Sequence, residues 1–324
     1  MRRRQLLQAA WAVPFARDAL AAESFPSQAL RIIVSWAAGG GPDVQARQIS
    51  EVLSRLLEQT VLIENKVGAA GIVGAQHVAH AKADGYTSLY AANTHLIQKV
   101  LQPAAPYDPL ADFRYVSLLG SSPAVMVVRA DGPYRTVEDV IRAAKASAGS
   151  LNYSSGGVGT SAHLAGATLV SLAGLDMTHV PLRGSVEIVA SLVRGDTDFA
   201  FPIAATGIPQ SRPGGKLRAL AVTSTERMEQ LPDVPTLKEV LGSELAIQES
   251  WFGLWVPKAT PDQAVNVLHE ACVKGATDAD LARTLATAGT TLTASQSPEE
   301  FSQFVLEEND KWLEILKLAH LVDG

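Results

Sequence analysis

Two glycine-rich runs carry the residues best suited to chemistry. The first, RIIVSWAAGGGPDVQAR over 31–47, places the apolar Ile32–Val34 before Gly39–Gly41, then opens a helix with Pro42 and Asp43. Glycine lets a ligand approach the main chain closely, and proline is pre-set for a first helical turn. A helix N-terminus offers unpaired N–H groups and partial positive charge, so this run suits a small anion. The second run repeats the order: Leu151–Ser154, then Gly156-Gly157-Val158-Gly159, then a helix from about Ser161. Ser154, Ser155, Thr160 and Ser161 supply neutral hydrogen-bond donors, with no base implied to activate any as a nucleophile. Gly157, Gly159 and Ala162 also partly match the dinucleotide fingerprint, although Asp176 comes early for the ribose-binding acid. A tight turn, or an anion seat facing Gly39–Gly41, are the competing readings of that loop.

Other candidates stay two-sided at this level. His95, at a strand end, and His163, in the second loop's helix, can donate to a carboxylate or be satisfied inside a core. His77 and His80 stand three apart without a third ligand, so they read as a solvated pair rather than a metal site. Asp43 is either an acid or a dipole-stabilised first-turn residue. Trp36 and Trp251 read as ligand-stacking walls or as core packing. No G-x-S-x-G elbow, P-loop or H-E-x-x-H occurs. Cys272 is the only cysteine, which excludes an intrachain disulfide and a cysteine-based zinc cluster.

These residues need a frame. Ile49, Val52, Leu53, Leu56 and Leu57 make one helical stripe. Val61–Ile63, a small-residue helix through Ala81, and Thr87–Ala92 complete a β-α-β-α-β order, which predicts a parallel sheet covered by helices. Val116–Arg129 can supply two strands across a Ser-Ser-Pro break, and Thr136 caps a helix. After the second glycine loop come strand Met177–Pro181, a helix to Val193, and strand Phe199–Phe201, the same pattern again. Two similar α/β lobes follow, with both glycine loops at the carboxyl ends of strands, where open sheets bind ligands. Leu217–Thr223 leads the chain back, Trp251–Val256 is a strand, and Thr260-Pro261 and Ser297-Pro298 open capped helices. The crossings near 120–129 and 217–226 predict a double hinge.

The chain has 324 residues, 47% hydrophobic and 19% charged, with net charge −6, which fits folded cores. No Lys/Arg cluster lies beyond the N-terminus, so no nucleic-acid partner is expected. Arg2-Arg3-Arg4, the apolar run Leu6–Ala16 and Leu20-Ala21-Ala22 predict an export signal over residues 1–22. Its Arg3-Arg4-Gln5-Leu6-Leu7 resembles a twin-arginine signal.

The ordered blocks ENKVGAAGIVGA, DGYTSLYAANTH, PYDPLADFRYVSLLG, LNYSSGGVGTSAHLAG, THVPLRGS, GKLRALAVTSTERMEQLPDVPTLKEV and SWFGLWVPK, with the first run, span the mature chain. Over that length it resembles the Bug extracytoplasmic solute receptors of tripartite tricarboxylate transporters. The resemblance implies a two-lobed, type II-like periplasmic binding protein. Each lobe would be a mainly parallel sheet flanked by helices, over 23–123 plus 225–324 and over 124–224. It implies a monomer that is no enzyme, needs no cofactor or metal, closes on a small carboxylate and delivers it to a membrane permease. The implied ligand residues are Trp36, Ala38, Gly39, Gly40, Asp43, Asn93, Thr94, His95, Ser155, Gly156, Thr160, Ser161 and His163, with Arg183 and Trp251 as weaker members. Pro202-Ile203 stands where the family often has Asp-Asn, so Pro202 joins the expected site and an α-amino acid ligand is disfavoured. A dicarboxylate, or a carboxylic acid with an apolar or aromatic body, is expected, held in the cleft between the lobes by loop backbone and hydroxyl donors. The alternatives are an NAD-dependent enzyme using Gly157–Ala162 and a sensory receptor presenting its solute to a kinase.

Overall fold

The computed structural model describes residues 25–322, so the expected export signal lies outside the described residues. The chain runs through β1 (Leu30–Val34), α1 (Gly41–Leu57), β2 (Val61–Asn65), α2 (Ile72–Ala79), β3 (Thr87–Ala92), α3 (Asn93–Leu101) and β4 (Phe113–Pro123). It then crosses into β5 (Val125–Arg129), α4 (Val137–Ala146), β6 (Asn152–Ser155), α5 (Ser161–Ala173), β7 (Thr178–Pro181), α6 (Ser185–Arg194), β8 (Phe199–Ala200), α7 (Ala204–Gln210), β9 (Leu217–Val222) and α8 (Leu237–Leu241). The return is β10 (Glu249–Pro257), followed by α9 (Asp262–Ala276), α10 (Ala279–Thr287), β11 (Thr291–Leu292) and α11 (Pro298–Leu318).

Two sheets result, in orders β11-β4-β10-β3-β1-β2 and β7-β6-β8-β5-β9. In each, a central strand has parallel partners on both sides: β1 between β2 and β3, and β6 between β7 and β8. Each trio is then extended by an antiparallel strand next to its third member, β10 beside β3 and β5 beside β8. The internal repeat read from the sequence is therefore a repeat of topology. At β1 and at β6 the strand order reverses, which opens a crevice at their carboxyl ends. Ile32, Ile33 and Val34 are buried, as a strand covered on both faces requires.

The two crossings meet at one side chain. Thr223 N–H donates to Ala124 C=O (2.9 Å), Ala124 N–H donates to Thr223 Oγ1 (2.8 Å), and Thr223 Oγ1 donates to Gln248 C=O. Leu237 and Ala246 belong to the core of the second sheet, with Tyr153 and Phe199. We therefore propose that 225–248 belongs to the second lobe and that the division falls at Gln248 rather than at 224/225.

The helix α11 adds a third link. Its Trp312, Ile315 and Leu316 form one apolar cluster with Ile97 of α3 and Leu164 of α5. Ser297 caps it as expected, accepting from Glu300 N–H (3.1 Å). Thr260 does not cap α9: Pro261 holds the N-cap position, and the buried Thr260 hydroxyl finds no partner among the described residues. Helices α3 and α7 were not expected. The first starts directly on β3 at Ala92, which has no capping side chain, and the second is short and contains Pro209.

Candidate ligand-binding cleft

The carboxyl edges of the two sheets face each other across a cavity of about 60 Å³. Four helices from both lobes begin on it: α1 through Pro42, α3 through Asn93 and Thr94, α5 through Thr160 and Ser161, and α6 through Gly184 and Ser185. The starts of α1 and α6, at Gly40 and Gly184, carry no side-chain cap. The first N–H groups of α6 thus keep their capacity for a ligand, whereas α1 meets the cavity through Pro42, which has no N–H, and offers it only the partial positive charge of its end. The rest of the lining is apolar, Trp36, Ile188, Pro202, Ile203 and Phe252, with the Ser250 hydroxyl beside it. Among the described residues, no charged side chain lines the cavity.

Of the expected site residues, Trp36, Asn93, Thr94, Gly156, Thr160, Ser161 and Pro202 come together here. The others stand off the lining, for physical reasons. Asp43 is buried and supports the first loop: its carboxylate accepts from Gly39 N–H (2.8 Å), Arg47 Nε (3.0 Å) and Asn65 Nδ2 (2.8 Å). Burial works against its charge, but the Arg47 guanidinium, the Gly39 N–H and the Asn65 amide prevail and hold its pKa below the usual carboxylate value. Ala38 and Gly39 are exposed on that loop, and Gly40 lies behind it: a Cβ there would meet Ala37 O at 3.3 Å and Ser185 Cβ at 3.9 Å.

The histidines hold loops rather than ligand. His95 is fully buried; its Nδ1 accepts from Ala92 N–H (3.0 Å) and its Nε2 bonds Ser35 Oγ (3.1 Å). His163 Nδ1 accepts from Gly159 N–H (3.1 Å), and its ring stacks on His179 at 4.0 Å. His179 Nε2 bonds Ser155 Oγ (2.6 Å), which occupies the Ser155 hydroxyl behind the loop. Burial pushes His95 down to about 4, His163 to about 3 (with His179 adding to it) and His179 to about 4. All three are therefore neutral at pH 7.

Trp251 faces away from the cleft, as alternation along β10 demands once Ser250 and Phe252 face it. Its indole N–H donates to Glu308 Oε2 (2.9 Å), which also accepts from Trp312 (2.7 Å). Arg183 is exposed, and its N–H donates to Glu187 (3.0 Å). His77 and His80 are exposed, and no metal-sized group of three His, Cys, Asp or Glu occurs among the described residues.

The second glycine loop is filled by protein. A Cβ on Gly159 would stand 2.4 Å from Leu101 Cδ1 and 2.6 Å from Gln98 Nε2, and Gln98 Nε2 donates to Val158 C=O (2.6 Å). Gly159, at φ +77°, serves this close approach to α3 rather than a pyrophosphate. Sequence reasoning missed Pro42, Gly184, Ser185, Ile188, Ser250 and Phe252 as lining. A glycine followed by Ser185 at a helix start was a readable signal; Ser250 and Phe252 depend on strand alternation fixed only by the sheet.

The sequence matches the model of the tripartite tricarboxylate transporter family receptor over residues 45–321. The chain belongs to that receptor family. Members are solute-binding receptors rather than enzymes, which removes the dinucleotide-enzyme alternative. A curated relative from Pseudomonas sp. strain P51, a UPF0065 protein in the tcbD-tcbE intergenic region, is 34% identical over 294 residues, 91% of this chain and 87% of the relative. The periplasmic binding protein BugD superimposes with a TM-score of 0.85 at 28% identity, covering 92% of this chain and 99% of BugD. A Rhodopseudomonas palustris protein solved with adipate gives 0.86 at 27%, covering 91% of this chain and 98% of its own. MatC from the same organism, with bound malate, gives 0.83 at 29%, covering 90% and 100%. These matches support the Bug resemblance and the two-lobed periplasmic fold. No helix among the described residues is long and apolar enough to cross a membrane.

Proposed function

We propose that this receptor captures a small carboxylate with an apolar body in the periplasm and delivers it to a tripartite transporter. The observation that carries the reading is the convergence of four helix N-termini, from both lobes, on a cavity lined by no charged side chain. Partial positive charge and free N–H groups favour an anion there. The same surroundings offer no carboxylate for an amino group, so an α-amino acid would bury an unpaired ammonium. Trp36, Ile188 and Phe252 suit an apolar body. Structural relatives that hold adipate and malate support a carboxylate as the ligand class.

Ligand contacts made by both lobes favour the closed form over the open one. Closing removes water and strengthens each N–H to carboxylate bond. A thermal-shift screen of mono-, di- and tricarboxylates beside amino acids tests the reading. Ligand at about a hundredfold over Kd adds about 2.7 kcal/mol of apparent stability. A shift with carboxylates and none with amino acids is expected; a shift confined to amino acids overturns it.

A further inference from the structure

The cavity ends at a thin wall. Ile203, the residue before α7, lines the cavity on one side and lies against Gly41 at the start of α1. A Cβ built on Gly41 would stand 2.9 Å from Ile203 Cδ1 and 2.7 Å from Thr206 Oγ1. Beyond that contact lies a recess of about 150 Å³, lined by Gly41, Gln45, Gln48, Thr206 and Gln210 among others. Neighbouring residues thus divide between two spaces: Pro42 and Ile203 face the cavity, Gly41 and Thr206 face the recess. The Thr206 hydroxyl is buried and has no hydrogen-bond partner among the described residues. The recess lining includes amides and a hydroxyl but no charged side chain, so it suits the polar end of a chain that reaches it.

We propose that Ile203 sets the length of carboxylate this receptor accepts. The inference deepens the carboxylate reading and rests on it. A ligand anchored at the helix N-termini and extending toward α7 meets the Ile203 side chain, and the Gly41 backbone stands directly behind it. Methylene groups beyond that point have nowhere to go without parting the lobes. Trimming Ile203 joins the cavity to the recess, where Thr206 and Gln210 can receive a polar far end. Ile203 is only half-buried, so trimming it costs less than emptying a sealed core.

The test is calorimetric titration of straight-chain α,ω-dicarboxylates of increasing length against the wild-type receptor, Ile203→Val and Ile203→Ala. In the wild type, one methylene past the limit is expected to cost roughly tenfold or more in affinity. Ile203→Ala is expected to move that limit up by about two carbons and Ile203→Val by about one, the limit being read as the break within each protein's own affinity series. The valine variant keeps the β-branched packing, so its shift decides the matter if the alanine variant fails to melt cooperatively. An unchanged limit in all three proteins, with short acids still binding, overturns the assignment of Ile203 alone. Failure of every diacid to bind the wild type overturns the assignment of Ile203, and the carboxylate reading falls with it only if the mono- and tricarboxylates of the thermal-shift screen also leave the melting point unmoved.

Discussion

Asn93 and Ser161 meet across the cleft: Asn93 Nδ2 lies 3.1 Å from Ser161 Oγ, whose hydroxyl lies 3.2 Å from Asn93 Oδ1. Each is the first residue of its helix, α3 in one lobe and α5 in the other. Closing therefore brings two positive helix ends face to face. Without an anion they oppose each other; with one between them, both stabilise it. On the proposed carboxylate reading, the contact would couple closing to the charge of the ligand.

Ser161→Ala removes the hydroxyl that ties these ends. A net hydrogen bond is worth about 0.5–1.5 kcal/mol, so carboxylate affinity should fall by roughly two- to tenfold. The ligand-free melting temperature should hardly change, because Ser161 is not a core residue. Calorimetry and a melt on the same sample separate the two effects. Unchanged affinity would mean that the tie plays no part in closing.

Thr223→Val acts instead where the chain crosses between the two sheets. The isosteric change keeps packing but orphans Ala124 N–H and the Gln248 carbonyl, both now served by Thr223 Oγ1. Each buried unsatisfied group costs about 1–3 kcal/mol, so chemical denaturation should show a loss in that range or above. The loss should appear with and without ligand, since these bonds do not touch the cavity.

The repeat of strand, glycine loop and helix was legible because it is written in local chemistry: apolar runs, glycines and capping residues. That legibility extended to Trp36, Asn93, Thr94, Thr160 and Ser161, which sit next to those signals and line the cavity. It failed for Trp251, where the face of β10 toward the cleft depends on pairing with β3 and β4. It left His95 and His163 open between ligand donor and satisfied core group; their polarity is spent on Ala92 and Gly159 within their own turns. A polar residue in a loop announces a hydrogen bond, not its partner.

Those histidines make stability depend on pH. Unfolded histidine titrates near 6.5, whereas burial holds His95 at about 4, His163 at about 3 and His179 at about 4. Between these values the unfolded chain binds protons that the folded chain does not. The contribution is fully present above the unfolded pKa and is lost as pH falls toward the folded ones. Each group can add up to about 1.4 kcal/mol per pH unit to the slope, less where it is part-exposed. Urea midpoints should decline from pH 7 to pH 4, and the three imidazole proton resonances should stay at neutral positions down to pH 5. Titration of any of them near 6.5 in the folded protein would contradict the burial argument.

Gly41→Ala separates closing from folding because its two effects have opposite signs. Gly41 does not occupy the left-handed region, so its backbone accepts alanine without strain. Where the conformation is compatible, this exchange stabilises a fold by about 0.4–1 kcal/mol through the unfolded chain. With the lobes as they stand in this structure, however, the new methyl would lie 2.7 Å from Thr206 Oγ1 and 2.9 Å from Ile203 Cδ1, across the lobe boundary. Such overpacking costs about 1–3 kcal/mol, and parting the lobes relieves it. Ligand-free melting should therefore hold or rise, while carboxylate affinity should drop by roughly tenfold or more. Small-angle scattering should show the wild type contracting when carboxylate is added and the variant contracting less. Wild-type affinity in Gly41→Ala would show that α1 and α7 need not touch for the receptor to hold its ligand.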